Sequence, residues 1–278
     1  INMIKKLIRS KPKNPVLITV PHSGNFYPDI FLNNFKKNIR IVRKMEDFES
    51  DKILNLLDKS NADIIIAKCS RAVVDLNRSK HAIDNSMFFE VVERGFIQEQ
   101  KMVDYGLGVI PKKSYNEFIF LNKLSASYAN HMLKNYYDPF HNILSKQINR
   151  LLNTYGICIH IDLHTMPSKA LLNYKKQTDI VLGNNFGKSC SKEIFNYFKN
   201  IFIADGYSVE VNNPYAGGFI TRNYGNPSLG VNTIQIEINR NLYMNEKNLT
   251  INKNIIKIQK SFYNIFNDFH YDFKLSAE

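Results

Sequence analysis

Three apolar runs constrain this chain more than any other feature: VLITV at Val16–Val20, ICIHIDL at Ile157–Leu163 and VNTIQIEI at Val231–Ile238. They have strand length, and their near-continuous apolar character fits strands covered on both faces rather than one. Further strands are expected over Asp63–Lys68, Ala72–Leu76, Thr178–Leu182 and Tyr207–Val211, with the three main ones extending over Pro15–Pro21, Gly156–Leu163 and Val231–Ile238. Helical spacing of apolar residues falls between them. It predicts helices over Asp47–Leu57, Ser114–Tyr155 with a break near Asp138-Pro139, Ser189–Phe202 and Leu249–Phe269. Buried strands alternating with helices imply an α/β fold, a three-layer α/β/α sandwich around a central mixed, mainly parallel sheet.

A chain of 278 residues can bury a large core. Residues 1–14 read as a basic N-terminal segment free to be flexible, and residues 15–278 as a single catalytic domain, since no linker or repeat divides them. The N-terminal stretch lacks the apolar run and cleavage site of a secretory signal, and no window approaches a membrane span. Cys69, Cys158 and Cys190 have no CxxC spacing. They suit a reducing compartment and the core, so a cytoplasmic protein with no membrane partner is expected. The net charge of +12 is spread evenly, without an arginine-rich block, which argues against a nucleic-acid partner and is compatible with attracting a small anion.

Four strand ends carry polar clusters: PHSG at Pro21–Gly24, SRAVVDLNR at Ser70–Arg78, IDLHT at Ile161–Thr165 and QIEINR at Gln235–Arg240. Strand ends are where α/β sheets place their sites, so four such clusters predict one convergent site. His22 and His164 suit a divalent metal, with zinc the first choice, although each alone could be a hydrogen-bonded structural histidine. Asp162 lies two residues before His164 and so shares its face of the strand. It can orient the imidazole or serve as a turn acceptor. A carboxylate should complete the ligand set, and Asp47 is the choice over Asp51, one helical turn away. Glu237 sits in an apolar strand, where a lone carboxylate is costly unless used. It can move protons beside a metal or pair with Arg240.

Other patterns carry less. GNNFGKS at Gly183–Ser189 misses the phosphate-loop pattern by one residue, because Leu182 stands where the first glycine belongs. Ser23 in PHSG lacks the GxSxG context of a hydrolase nucleophile. His141 follows Pro139-Phe140 and either lines the pocket or is an ordinary surface or core histidine.

Taken in order, PHSG, EDFESD, SRAVVDLNR, DIVLGNNFG, NPYAGGFITRNYG and QIEINRNLYM resemble the N-formylglutamate amidohydrolase family, a branch of the zinc carboxypeptidase and aspartoacylase-like hydrolases. The resemblance runs from about Val16 to Met244. It implies the fold of those peptidases and a metal-dependent cleavage of N-formyl-L-glutamate to glutamate and formate, with a small acidic N-acyl amino acid as substrate. It also implies metal on His22 and His164, a catalytic carboxylate at Glu237, and Arg71 polarising the scissile carbonyl. Asn77 and Arg78 would hold a substrate carboxylate. One departure stands out: the relatives carry a glutamate ligand three residues after the first histidine, where this chain has Asn25. The carboxylate ligand is therefore expected from Asp47 or Asp51. A dicarboxylate substrate needs a second cation, for which Arg222 and Arg240 are candidates, and Gly217-Gly218 would let the loop over Asn212–Ser228 bend toward a ligand. A deacylase for another N-acyl amino acid, or a non-catalytic binder of acidic ligands, are the alternatives.

Overall fold

The computed structural model describes residues 3–10, 13–35, 37–57, 61–92, 99–171 and 178–267. Seven strands form the central sheet: β1 (Ile4–Leu7), β2 (Val16–Val20), β3 (Asp63–Ala67), β4 (Cys158–Met166), β5 (Ile180–Gly183), β6 (Val209–Val211) and β7 (Val231–Asn239). Their order is β1-β3-β2-β4-β7-β5-β6. The central pairs β3–β2, β2–β4 and β4–β7 are parallel, as is β5–β6, while β1–β3 and β7–β5 are antiparallel. The sheet is thus mixed and mainly parallel, as the apolar runs predict.

Alternation along the strands divides the core. Ile159, Ile161 and Leu163 of β4, with Ile234, Ile236 and Ile238 of β7, face helices Lys192–Ala204 and Ile255–Asn267, whose Phe198, Phe202 and Phe262 are fully buried. Burying one such ring contributes roughly 1.5–3 kcal/mol. Leu17, Cys158 and Val231 face the other way, against helix Asp138–Tyr155 with Phe140, Leu144, Ile148 and Leu151. Two helical layers therefore enclose the sheet. His160, Asp162 and His164 of β4 and Thr233, Gln235 and Glu237 of β7 share this second face, and toward the carboxyl ends of the strands it becomes a cavity.

Several elements differ from expectation. The expected helix Asp47–Leu57 is only a short 3₁₀ turn, Ser50–Leu54, because Glu49 adopts a left-handed backbone (φ 49°) and the Phe48 carbonyl is taken by the Tyr243 hydroxyl. Ala72–Leu76 is a buried turn, not a strand: the Val73 amide donates to Ser70 and the Asp75 amide to Val109. Its burial on all sides imitates the apolar pattern of a strand. The expected helix from Ser114 begins at Ala126, capped by Ser125, after a hairpin pairing Lys113–Ser114 with Glu117–Phe118. The expected break near Asp138-Pro139 is a local widening, since the backbone stays helical from Ala126 through Tyr155. Pro139 has no N–H to donate back along the helix, and the turn before it, Leu133–Tyr137, widens to a π-helix. Lys192–Ala204 starts with Ser191 as cap, three residues later than expected. Thr250–Ile251 pairs with Met244–Asn245, and the closing helix starts at Ile255; its expected end at Phe269 lies outside the described residues. Within the segment read as free to be flexible, Ile4–Leu7 adds an edge strand beside β3.

Candidate metal centre and active site

Two strand ends carry the histidines to each other. His22 follows β2 by two residues, and Gly24 permits the turn. A Cβ there would lie 2.4 Å from the Cys69 carbonyl oxygen and 2.5 Å from Lys68, so only glycine lets the PHSG loop lie against the chain leaving β3. His164 lies on β4 directly beside Glu237 of β7, and Asp162 pairs with Gln235 one step back. The His22 and His164 rings are 4.7 Å apart, centroid to centroid, and both are buried.

Each imidazole is oriented by a carboxylate. His22 donates from Nε2 to Asp75 Oδ1 at 2.8 Å, and among the described residues its buried Nδ1 has no hydrogen-bond partner. His164 donates from Nε2 to Asp162 Oδ2 at 2.9 Å and turns Nδ1 toward Asp47 Oδ2 at 3.2 Å. The His22 Nδ1 lies 3.7 Å from that same oxygen. Ligand atoms of His22, Asp47 and His164 all lie within 4.8 Å of one another.

These residues fit a divalent ion. A tetrahedral site with bonds near 2 Å places its donors roughly 3.3 Å apart, close to the spacings here. An otherwise orphaned buried Nδ1 gains a partner, and each ligand nitrogen is aimed by the carboxylate on its far side. Two nitrogens and one oxygen leave coordination room, as catalytic zinc sites require. The structure brings Asp47 into this cluster and leaves Asp51 out of it, half-buried in the 3₁₀ turn with the Lys5 charge acting on it.

Electrostatics follow from packing so much charge out of water. Burial alone would raise the Asp47 pKa, but His164, His22 and Arg240 hold it well below the carboxylate range. Asp75 is likewise held low against its burial, by Arg71, His22 and Arg78. Burial would lower the His164 pKa, yet Asp162 and Asp47 hold it well above the usual value. Glu237 goes the other way. Burial, with Asp47 adding to it, lifts its carboxyl to about 7, although His164, Arg71 and Arg240 oppose the shift. Its Oε1 accepts from Gln235 at 2.9 Å.

Eleven of the residues singled out from the sequence line one cavity of about 910 Å³: His22, Asp47, Arg71, Asn77, Arg78, His164, Gly217, Gly218, Arg222, Glu237 and Arg240; Asp51, Asp162, Ser23 and His141 do not. Their partners could not be read from the sequence. Arg71 is held by Asp75 at 2.7 Å, with its other amino group 3.9 Å from Asp47. Arg240 pairs with Asp47 at 2.9 Å rather than with Glu237, and Arg222 pairs with Glu99. Arg78 donates to the carbonyls of Leu107 and Asn77 and touches the Met102 sulfur; among the described residues it has no carboxylate partner. Asn77 accepts the Ile220 amide and presses against Gly218, where a Cβ would sit 2.2 Å from its Nδ2. Gly217 has φ +121°, a conformation that disfavours any side chain.

Asp75 is the important residue that the sequence reading passed over. Its signal was an acid within the apolar run AVVDL, the same anomaly that singled out Glu237. His141 is packed away from the cluster, bonded to Tyr224 and the Leu76 carbonyl, and burial lowers its pKa to about 4. All three cysteines are buried, with their thiol pKa values pushed up by burial. Gly183 packs its backbone against Ala216 and Gly217, a structural role for the loop that resembled a phosphate cradle.

A sequence model of the N-formylglutamate amidohydrolase family matches residues 14–244. The chain belongs to that family. It is accordingly an amide-bond hydrolase. Among its relatives, N-formylglutamate deformylase of Pseudomonas putida is 25% identical over 249 residues, covering 88% of this chain and 87% of the relative. The Pseudomonas aeruginosa N-formylglutamate deformylase is 25% identical over 238 residues, covering 84% and 83%. The solved N-formylglutamate amidohydrolase of Ralstonia eutropha JMP134 superposes with a TM-score of 0.90 at 25% identity over 96% of each chain. Among the described residues, no helix is long and apolar enough to cross a membrane.

Proposed function

We propose that the protein hydrolyses N-formyl-L-glutamate to L-glutamate and formate, using a divalent ion, zinc by its donor set, held by His22, Asp47 and His164. The observation that carries this reading is the pair of buried imidazoles. Each gives one nitrogen to an aspartate and leaves the other facing Asp47, beside a glutamate whose pKa is near 7. When bound, the ion would supply an acidified water and positive charge for the carbonyl oxygen.

The chain's own residues do the rest. Glu237, ionised, takes a proton from the attacking water as its oxygen bonds to the formyl carbon, and returns that proton to the amide nitrogen as the C–N bond breaks. Its raised pKa suits both steps at neutral pH. The Arg71 guanidinium, anchored by Asp75, donates to the carbonyl oxygen as negative charge develops there; removing such a donor typically costs roughly 10²–10³ in turnover. Asp75 thereby steadies both His22 and Arg71. Arg78, free of any described carboxylate partner, binds the substrate α-carboxylate through its fork, next to Asn77. Arg240 is occupied by Asp47 and keeps that ligand in place. The second substrate carboxylate goes to Arg222, whose side chain is 39% exposed at the cavity and exchanges Glu99 for the ligand.

The test is formate release from N-formyl-L-glutamate by zinc-loaded protein, compared with N-formyl amino acids lacking one carboxylate and with N-acetyl-L-glutamate. Release confined to the N-formyl dicarboxylate supports the assignment. A fully metallated protein that releases no formate refutes it.

A further inference from the structure

Behind the candidate metal centre runs a row of buried polar residues that the proposed reaction does not use. Thr19 of β2, His160 and Asp162 of β4, and Thr233 of β7 lie on the sheet face that carries His164, and Thr19, His160 and Asp162 are fully buried. Thr19 Oγ1 lies 2.8 Å from Asp162 Oδ1 and 2.9 Å from His160 Nε2. His160 Nδ1 lies 3.4 Å from the Thr233 hydroxyl.

The proton directions follow by elimination. His164 Nε2 donates to Asp162 Oδ2, so Asp162 acts as an acceptor there. The Thr19 hydroxyl has one proton, and its short contact to Asp162 Oδ1 takes it, in preference to the Ile161 carbonyl at 3.5 Å. Toward His160 the same oxygen must then accept, so the His160 proton sits on Nε2. That leaves Nδ1 bare to accept from Thr233. Burial supports this neutral form by lowering the His160 pKa to about 4. Each donor points along one line, Thr233 to His160 to Thr19 to Asp162, and Asp162 passes the orientation to the His164 ring.

We propose that Thr19 and His160 are positioning residues for the metal centre: they lock Asp162 so that His164 presents Nδ1 to the ion. This rests on the metal reading above. A plain apolar residue in place of Thr19 would pack in the sheet as well, but it would leave Asp162 Oδ1 buried without a donor and free to rotate away from His164; one in place of His160 would leave the Thr19 oxygen without the donor that holds its hydroxyl turned to Asp162. Partners one shell beyond metal ligands typically change affinity 10–100-fold, and Thr19 acts one step further back, so an effect of about tenfold is expected.

The experiment measures zinc affinity by competition with a chromogenic chelator for wild type, Thr19→Val and Thr19→Ser, alongside the melting of each metal-free protein. Thr19→Val should bind zinc about tenfold more weakly while Thr19→Ser, which keeps the hydroxyl, stays near wild type. Equal zinc affinity in wild type and Thr19→Val overturns the proposal, as does equal weakening in both variants. A wild-type protein that takes up no zinc overturns the metal reading and this proposal together. Histidine ring ¹⁵N resonances of the wild type give a test that needs no variant: His160 should be the Nε2–H tautomer, and the Nδ1–H tautomer would contradict the relay.

Discussion

Replacing Glu237 by Gln isolates the proton-moving step from metal binding. The substitution keeps shape, and its Oε1 can still accept from Gln235 at the 2.9 Å contact seen for the carboxylate. What is lost is the group that exchanges a proton, a contribution of typically 10²–10⁴ in rate. The structure also predicts an opposite effect on stability. The folded pKa is about 7 against an ordinary value of 4.5, so a proton binds the folded state more tightly and stability drains away as pH rises through 7. At pH 8 the buried charge costs metal-free protein up to about 3 kcal/mol, at 1.36 kcal/mol per unit, which the neutral amide avoids. Glu237→Gln should therefore lose at least a hundredfold in kcat with zinc still bound, while its metal-free form unfolds at higher urea at pH 8. The pH profile gives a second readout. Glu237 must be ionised to accept a proton, so wild-type kcat/KM should fall on the acid side through a pKa at or below about 7, since a nearby cation lowers it. Formate release, zinc content by atomic absorption and urea titration suffice. Activity within tenfold of wild type at full zinc occupancy would refute the role.

Other outcomes follow from the same geometry. Asp47→Asn should lose zinc and also destabilise the fold by about 3–5 kcal/mol, because Arg240 is left buried without its partner, whereas Asp51→Asn should retain zinc; metal content of the two variants checks this. Arg78→Lys should raise KM far more than it lowers kcat, since an ammonium cannot copy the forked contact, and the defect should vanish for a substrate lacking the α-carboxylate. His141 is half-buried with a pKa near 4 against 6.5 unfolded, so its contribution to stability is complete above pH 6.5 and fades as pH falls toward 4. The stability gap between wild type and His141→Phe should shift by up to about 3 kcal/mol in favour of the variant between pH 7.5 and 4.5, read from urea midpoints. A gap independent of pH would contradict the assignment.

The strands were legible because burial on both faces writes a continuous apolar run, and β2, β4 and β7 all carry one. The same rule misled at Ala72–Leu76, where a turn buried between layers has the composition of a strand. Asp47–Leu57 shows the reverse failure. Helical periodicity was present, but a left-handed Glu49 and an Asp47 committed to histidines and an arginine leave only a short turn. The histidines and Glu237 stood out because polar groups in buried strands need a purpose. Charge partners were not legible, since Arg240 meets Asp47 across 193 residues and Arg222 meets Glu99 across 123. No local pattern encodes such pairings, and they decide which cations are free to meet a substrate. Asp75 was within reach of the reasoning that found Glu237 and was hidden by the strand reading of its neighbours.

The most direct test is a crystal of zinc-loaded protein measured on both sides of the zinc absorption edge. The account predicts one strong anomalous peak bonded to His22 Nδ1, His164 Nδ1 and Asp47 Oδ2, with the Glu237 carboxylate beside it. An active protein with no peak there, or with its zinc on other residues, would contradict it.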